Sequence, residues 1–157
     1  MAAIAYVGLG SNLGSREERI EAALGSLSRA AGVKVLRRSP LYETDPVGGP
    51  PQGKYLNGVA EIESRLSPSD LLSLLLRVEK EMGRRRGVRF GPREVDLDLL
   101  LYGDEVRDGP DLFLPHPRMR DREFVLRPLA DLDPDLRVPP DLARVGDLLR
   151  RIQGRGR

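Results

Sequence analysis

The chain has 157 residues, which is the usual size of one domain and is enough to bury a hydrophobic core. Apolar residues make up 39% and charged residues 32%, a balance that excludes a disordered chain, and no apolar run reaches the roughly 18 residues that span a bilayer. A net charge of only +2 argues against a surface that is basic throughout, and the absence of cysteine excludes disulfides and thiolate chemistry.

The first third of the chain predicts a strand, a helix and a second strand. Residues 3–9 are a short apolar strand that leads into the glycine-rich sequence GLGSNLG, and no basic flank marks a signal peptide, so we expect a cytoplasmic protein. Ser15 and Glu18 have the spacing of a capping box, and apolar residues follow at helical intervals. Residues 33–38 alternate as in a strand.

The middle of the chain predicts a strand, a helix and a further strand. The segment DPVGGPPQGK at 45–54 is too rich in glycine and proline to be regular, and 55–64 reads as a strand. Ser67 begins a helix as its N-cap, with proline at the first helical position. A basic loop at 84–93 then leads to the apolar strand EVDLDLLLY.

The order β-α-β-β-α-β predicts an α+β fold of the ferredoxin-like type, with an antiparallel sheet and both main helices on one face. A helical segment from about Asp121 and a final helix at about 141–151 are expected to cover the other face, which gives α/β/α layers. This arrangement would bury EVDLDLLLY on both sides. Residues 152–157 are expected to be a flexible basic tail.

Two acids, Asp96 and Asp98, interrupt that apolar strand. Residues two apart on a strand share a face, about 6.6 Å apart, so both carboxylates point away from the side that carries Leu97. Converging carboxylates repel each other unless a cation lies between them, and Mg²⁺ or Mn²⁺ suits such oxygen ligands. The alternative is that both acids pair with arginines at the end of the strand.

Arginines lie close to the acids in sequence, at Arg84, Arg86 and Arg93. A planar guanidinium can bind two phosphate oxygens at once, so this loop suits a phosphate site, although a solvated basic connection is the alternative. His116, the one histidine, precedes three alternating arginines that end at Arg122. It is therefore either a structural histidine or a phosphate contact. GLGSNLG does not match the dinucleotide-binding fingerprint, and no P-loop is present.

These stretches together resemble the 6-hydroxymethyl-7,8-dihydropterin pyrophosphokinase family of folate biosynthesis. The resemblance covers nearly the whole chain, and its most specific part is GPREVDLDLLLYG at 91–103 followed by LPHP at 114–117. That family transfers the terminal pyrophosphate of ATP to the hydroxymethyl group of the pterin and releases AMP. The resemblance therefore implies these two substrates, two Mg²⁺ ions and one pyrophosphokinase domain over residues 1–157, with no obligatory protein partner and no nucleic acid or membrane.

The resemblance also implies roles for single residues. Asp96 and Asp98 would bind the two Mg²⁺ ions, and Arg84 and Arg93 would neutralise charge on the transferring group. The implied ATP contacts are Glu79, Arg84, Arg86, Arg93, His116 and Arg122. The implied pterin contacts are Thr44, Asp45, Pro46, Val47, Tyr55, Asn57 and Phe124, with the ring between the two aromatic side chains. The segments 45–54 and 84–93 would close over the substrates, unless they are ordinary flexible connections.

Some positions depart from the family pattern. Many members carry tryptophan where Phe90 stands, a tyrosine is frequent where Pro117 stands, and the arginine loop is about one residue shorter than in some relatives. The general base stays open between Asp98 and a metal-activated hydroxyl that loses its proton to water or phosphate.

Other classes of function make different predictions. An RNA-binding module would present aromatic residues on an open sheet face and would have no use for the acid pair. Another Mg²⁺-dependent nucleotidyl transferase or cyclase would release pyrophosphate rather than AMP. A purely structural role leaves the two converging acids unexplained.

Overall fold

The computed structural model describes residues 2–12, 15–45, 53–82 and 95–155. Its centre is a five-stranded sheet in which β4 pairs with β2, β3 and β1, β1 also pairs with β5, and every pair is antiparallel. β3 meets β4 beyond the end of β2. The strands are β1 (Ala3–Ser11), β2 (Val33–Arg38), β3 (Tyr42–Thr44), β4 (Tyr55–Ser64) and β5 (Asp96–Tyr102).

Helices α1 (Arg16–Arg29) and α2 (Pro68–Glu81) cover one face of this sheet. Their apolar faces enclose a core with the strands, in which Ile20, Leu27 and Leu71 are fully buried. Ser67 caps α2 as predicted, because its side-chain oxygen accepts the N–H of Asp70 at 3.1 Å. The antiparallel pairing and the side of both helices confirm the predicted ferredoxin-like core, to which the three-residue strand β3 adds a strand that the sequence did not predict.

The opposite face is covered by a second helical layer, built from α3 (Glu123–Leu132) and α4 (Val145–Arg155) after a short 3₁₀ helix, Met119–Asp121. Leu126 and Leu129 of α3 are fully buried against the sheet. Two small hairpins complete the chain, β6 (Arg107–Asp108) with β7 (Phe113–Leu114) and β8 (Arg137–Val138) with β9 (Ala143–Arg144). The three predicted layers are therefore present. Helices cover both faces of the sheet, whereas an RNA-binding module needs one face to be open.

Strand β5 is buried on both sides, as its apolar sequence predicts. Leu97 and Leu99 belong to the core under α1 and α2, whereas Leu100 and Leu101 belong to the core under α3 and α4. Two successive residues reach the second core because the register between β1 and β5 shifts by one residue, so Leu100 has no Cα partner on β1.

Three local predictions are wrong. The Ser15 hydroxyl makes no capping hydrogen bond among the described residues, since the backbone ψ of 83° is far from that of a typical N-cap and the Ser15 carbonyl alone accepts the first helical N–H. The final helix begins at Val145 rather than near 141, because residues 143–144 pair as a strand. This helix extends to Arg155 and Ile152 packs on the second core, so the predicted tail starts too early.

A network of hydrogen bonds between side chains on neighbouring strands connects the C-terminal end of α3 to the sheet. Tyr6, Glu61 and Arg37 lie directly opposite one another on β1, β4 and β2. The Tyr6 hydroxyl donates to Glu61 at 2.7 Å, and Arg37 donates to both Glu61 oxygens at 2.8 and 3.1 Å and to the carbonyl of Leu132 at 3.0 Å. The hydrogen bonds from Arg37 hold the pKa of Glu61 below its usual value, although partial burial opposes the shift.

Replacement of Glu61 by glutamine is expected to lower the melting temperature at pH 7 by about 3 °C. Because the pKa of Glu61 is lower in the folded chain, its contribution is complete above its ordinary pKa of 4.5 and is lost as the pH falls through the folded-state value. The difference between wild type and Glu61→Gln should therefore shrink on acidification. Melting curves at pH 7 and pH 3 check this, and a difference that grows in acid would contradict it.

No helix among the described residues has the length and apolar character that crossing a membrane requires.

Candidate functional site

Strand register places the two acids beside two glycines on the face that α3 and α4 cover. Asp96 lies opposite Gly10 and Asp98 lies opposite Gly8, since β1 continues to Ser11 and both glycines are strand residues rather than loop residues. On its other side Gly10 pairs with Asn57 of β4. One row across the sheet therefore carries a carboxylate, a glycine and an amide, with only the glycine lacking a side chain.

A cavity of about 140 Å³ opens above this row. It brings together residues from β1, β3, β4, β5 and the start of α3, which are far apart in the sequence. Five of the predicted pterin contacts, both acids and one predicted ATP contact line it. These are Thr44, Asp45, Tyr55, Asn57, Phe124, Asp96, Asp98 and Arg122, together with Gly8, Leu9, Gly10, Gly58 and Val125.

The acid pair confirms the predicted alternation along β5. Asp96 is half-buried and Asp98 is exposed, and both line the cavity, while Leu97 between them is buried in the core on the other face. Among the described residues no group of three or more His, Cys, Asp or Glu side chains is placed to hold a metal ion. Two carboxylates nevertheless fit Mg²⁺, which commonly takes one or two carboxylates and completes its octahedron with water and phosphate oxygens.

Asn57 is held in place at the cavity wall. It is 8% exposed, and its side-chain amide donates a hydrogen bond to the hydroxyl of Thr44 on the neighbouring strand. This bond leaves the Asn57 side-chain oxygen as an acceptor within the cavity.

The start of α3 supplies the other wall. Phe124 is the second residue of the helix, and the guanidinium of Arg122, the residue before the helix, lies 5.4 Å from the centre of its ring. That distance is within the range of a cation–π contact. A larger cavity of about 700 Å³ shares Thr44, Arg122 and Phe124 with the first and extends past Arg118 and Arg127. The site is therefore open on the β3 side.

His116 lies close enough to Asp98 and Arg122 for their charges to shift the pKa of its imidazole. Burial lowers the pKa of its imidazole below the ordinary value, the negative charge of Asp98 opposes this, and Arg122 and Arg118 add to it. The shift favours the neutral ring. Its Nδ1 accepts the backbone N–H of Arg118 at 3.3 Å, which leaves the proton on Nε2.

Glu79 lies behind the acids rather than in the cavity. Its side chain is 3% exposed, and one carboxylate oxygen accepts the backbone N–H of Leu97 at 2.9 Å. Since β5 is the outermost strand on this side of the sheet order, the bond satisfies a backbone donor at the sheet edge. Its predicted contact with ATP stays a prediction.

Several predicted site residues lie outside the described residues, namely Arg84, Arg86, Arg93, Pro46 and Val47, and so does Phe90. Sequence reasoning missed Gly8 and Gly10 as part of the cavity. The signal for them was present, since two glycines at positions i and i+2 of an otherwise apolar strand indicate that a group approaches one face closely.

Comparison with known proteins assigns the chain to a family. The family model described as 7,8-dihydro-6-hydroxymethylpterin-pyrophosphokinase (HPPK) matches residues 6–134. A 2-amino-4-hydroxy-6-hydroxymethyldihydropteridine pyrophosphokinase of Pseudomonas aeruginosa is 49% identical over 134 residues, which cover 85% of this chain and 83% of that protein. The protein of the same name from Bacillus subtilis is 48% identical over 129 residues, which cover 82% and 77%.

Longer proteins also contain this unit. The folic acid synthesis protein fol1 of Schizosaccharomyces pombe is 44% identical over 153 residues, which are 98% of this chain but 21% of that protein. The solved structure of Plasmodium falciparum HPPK-DHPS with pteroate has a TM-score of 0.78 at 14% identity, over 99% of this chain and 43% of that one. The structural likeness shows the fold, and the sequence matches show the family. The chain belongs to the 7,8-dihydro-6-hydroxymethylpterin pyrophosphokinase family, the ATP-dependent pyrophosphokinases of folate biosynthesis.

Proposed function

We propose that the cavity binds 6-hydroxymethyl-7,8-dihydropterin with its hydroxymethyl group toward Asp96 and Asp98, where it receives the terminal pyrophosphate of ATP. One observation carries this proposal: Tyr55, Asn57 and Phe124, from β4 and α3, line the same cavity as the acid pair of β5. Residues 1–157 would act as a single domain without an obligatory protein partner.

The pterin ring would lie between Tyr55 and Phe124, because offset stacking on aromatic faces suits a flat bicycle. Asn57 would read the polar edge of the ring, since the bond to Thr44 fixes its amide and leaves its oxygen to accept an N–H of the ligand. An analogue without that N–H would leave the buried oxygen unpaired and would bind weakly. Asp45 and the backbone of residues 44–47 are proposed to add contacts at the same edge.

Asp96 and Asp98 are proposed to hold two Mg²⁺ ions together with the phosphates of ATP. Such ions supply neutralisation of phosphate charge and acidification of the pterin hydroxyl. The protein then has to meet two requirements. Strand β5 must keep both carboxylates on the cavity face, and strand β1 must leave space at Gly8 and Gly10 for the incoming group. The burial of Leu97 and Leu99 on the opposite face fixes that orientation.

The nucleotide is proposed to contact His116 and Arg122 on the α3 side, with Arg84, Arg86 and Arg93 supplied by the loop before β5. A neutral His116 protonated at Nε2 can donate one hydrogen bond to an oxygen of the nucleotide. The cation–π contact with Phe124 orients Arg122 before ATP binds. Phe124 would therefore serve both substrates.

The product of the reaction tests this function. The purified protein is incubated with ATP, Mg²⁺ and 6-hydroxymethyl-7,8-dihydropterin, and the nucleotide products are separated. We expect AMP, formed only when the pterin is present. ADP would mean transfer of one phosphoryl group, and free pyrophosphate would mean nucleotidyl transfer, so either product would contradict the proposal.

A glycine substitution and a matched control test the packing under the proposed pterin site. A Cβ on Gly10 would lie 3.0 Å from the Asn57 side-chain oxygen, whereas a Cβ on Gly154 of α4, which does not line the cavity, would meet no atom within 4 Å. We expect Gly10→Ala to raise the dissociation constant of the pterin about tenfold, by moving the Asn57 amide. Calorimetric titration of the pterin in the presence of a non-hydrolysable ATP analogue measures this, with Gly154→Ala as the matched control. Equal pterin affinity in both variants would contradict the role given to Asn57.

A further inference from the structure

We infer that Arg16 is a positioning residue for the pterin cavity, because it ties together the two strands that carry Thr44 and Tyr55. The inference rests on the proposed function for the identity of the ligand. Arg16 does not line the cavity, so it would act through the residues that it holds.

One guanidinium makes both ties. Arg16 is the first residue of α1, and its Nη2 donates to the Glu43 carboxylate of β3 at 3.1 Å. Its Nη1 donates to the carbonyl of Lys54, just before β4, at 2.9 Å. The planar fork of arginine carries these donors on two separate nitrogens, whereas the donors of lysine all lie on one nitrogen.

The held strands need such support because β3 is short. It has three residues, of which Thr44 pairs with Tyr55 and Glu43 pairs with Leu56. Side chains alternate along a strand, so Glu43 points away from the side of Thr44 and toward the start of α1, where it meets Arg16, and it also borders the larger cavity. Arg16 therefore holds β3 from behind while Thr44, the next residue, faces the ligand.

Two further contacts involve residues 53 and 54, just before β4, and they differ in strength. Asn12, which is 7% exposed, donates from its side-chain amide to the carbonyl of Gly53 at 3.2 Å, so a partly buried bond supports the segment that leads into β4. The ion pair between Lys54 and Asp45 spans 3.9 Å with both side chains largely exposed, and such pairs contribute little. Arg16 is distinct because one side chain, 30% exposed, engages both strands.

The test compares Arg16→Met, which keeps the length and loses the donors, with Arg29→Met at the other end of α1. Arg29 makes its hydrogen bond within its own helix, to Ser26. For each protein three quantities are measured: amide hydrogen exchange at residues 42–44 without substrate, the dissociation constant of the pterin with a non-hydrolysable ATP analogue, and that of the analogue alone.

For Arg16→Met we expect faster exchange at residues 42–44, pterin binding weakened about tenfold and unchanged affinity for the nucleotide analogue. The values for Arg16→Lys should fall between those of Arg16→Met and wild type, and Arg29→Met should match wild type. If Arg16→Met does not fold, Glu43→Ala removes the tie to β3 alone and gives the same comparison.

Unchanged exchange together with unchanged pterin affinity would overturn the inference. A lower melting temperature with equal weakening of pterin and nucleotide would overturn it as well, because that result indicates a role in global stability only. If wild type itself bound no pterin, the proposed function would fail, while the exchange data would still decide whether Arg16 holds β3.

Discussion

Asp96→Ala and Asp98→Ala are each expected to lower the rate of AMP formation by about 10³-fold or more while the protein stays folded. The size follows from phosphoryl transfer in general, where the loss of one group that neutralises the transferring phosphate has an effect of this order. Stability should change little, because β5 packs into the core through Leu97 and Leu99 on its other face, and neither acid belongs to a core cluster.

The same variants should need more Mg²⁺. With one carboxylate removed, the ions keep fewer protein ligands, so the Mg²⁺ concentration for half-maximal activity should rise if any activity is left to measure. Asp96→Asn and Asp98→Asn, which preserve shape, should behave as the alanine variants do because charge rather than volume is required.

Asp104 provides the matched control, since it is an exposed acid just after β5 and does not line the cavity. Asp104→Asn should retain the wild-type rate and the wild-type Mg²⁺ dependence. If Asp98→Ala formed AMP at the wild-type rate, or if all three acids behaved alike, the acid pair would not be the metal site.

Much of the fold follows from patterns that depend on neighbours in sequence. The strand at 55–64 and the cap at Ser67 follow from local sequence patterns, and both appear in the structure where the sequence predicts them. The hairpin of β8 and β9 was missed because strands of two residues have no period to detect. The Ser15 cap was predicted wrongly because side-chain type alone does not fix the backbone conformation of the cap residue.

The arrangement of the site depends less on neighbours in sequence than the fold does. The acid pair was predictable because both residues lie on one strand and a strand alternates. The contact of Asn57 with the row of Gly10 and Asp96 depends on strand register across three strands, so only the family resemblance indicated its role. Arg16 left no signal at all, since one of its two bonds is to a backbone carbonyl, which every residue type provides.

Phe124→Ala is expected to weaken pterin binding by about 10- to 100-fold. A base stacked on an aromatic side chain typically loses about 1–3 kcal/mol when that side chain becomes alanine, and a pterin has a comparable flat face. Nucleotide affinity should fall by less, through the loss of the ring that orients Arg122 at 5.4 Å. Calorimetric titration with each ligand measures both effects.

Conservative replacements separate stacking from packing at this position. Phe124→Tyr keeps the aromatic face and should bind the pterin as wild type does, whereas Phe124→Leu keeps much of the apolar volume and should bind as weakly as the alanine variant. Phe113, which is 46% exposed and does not line the cavity, is the control, and Phe113→Ala should leave both affinities unchanged. Wild-type pterin affinity in Phe124→Leu would mean that the residue only packs against the second core, and the pterin would then have to lie elsewhere in the cavity.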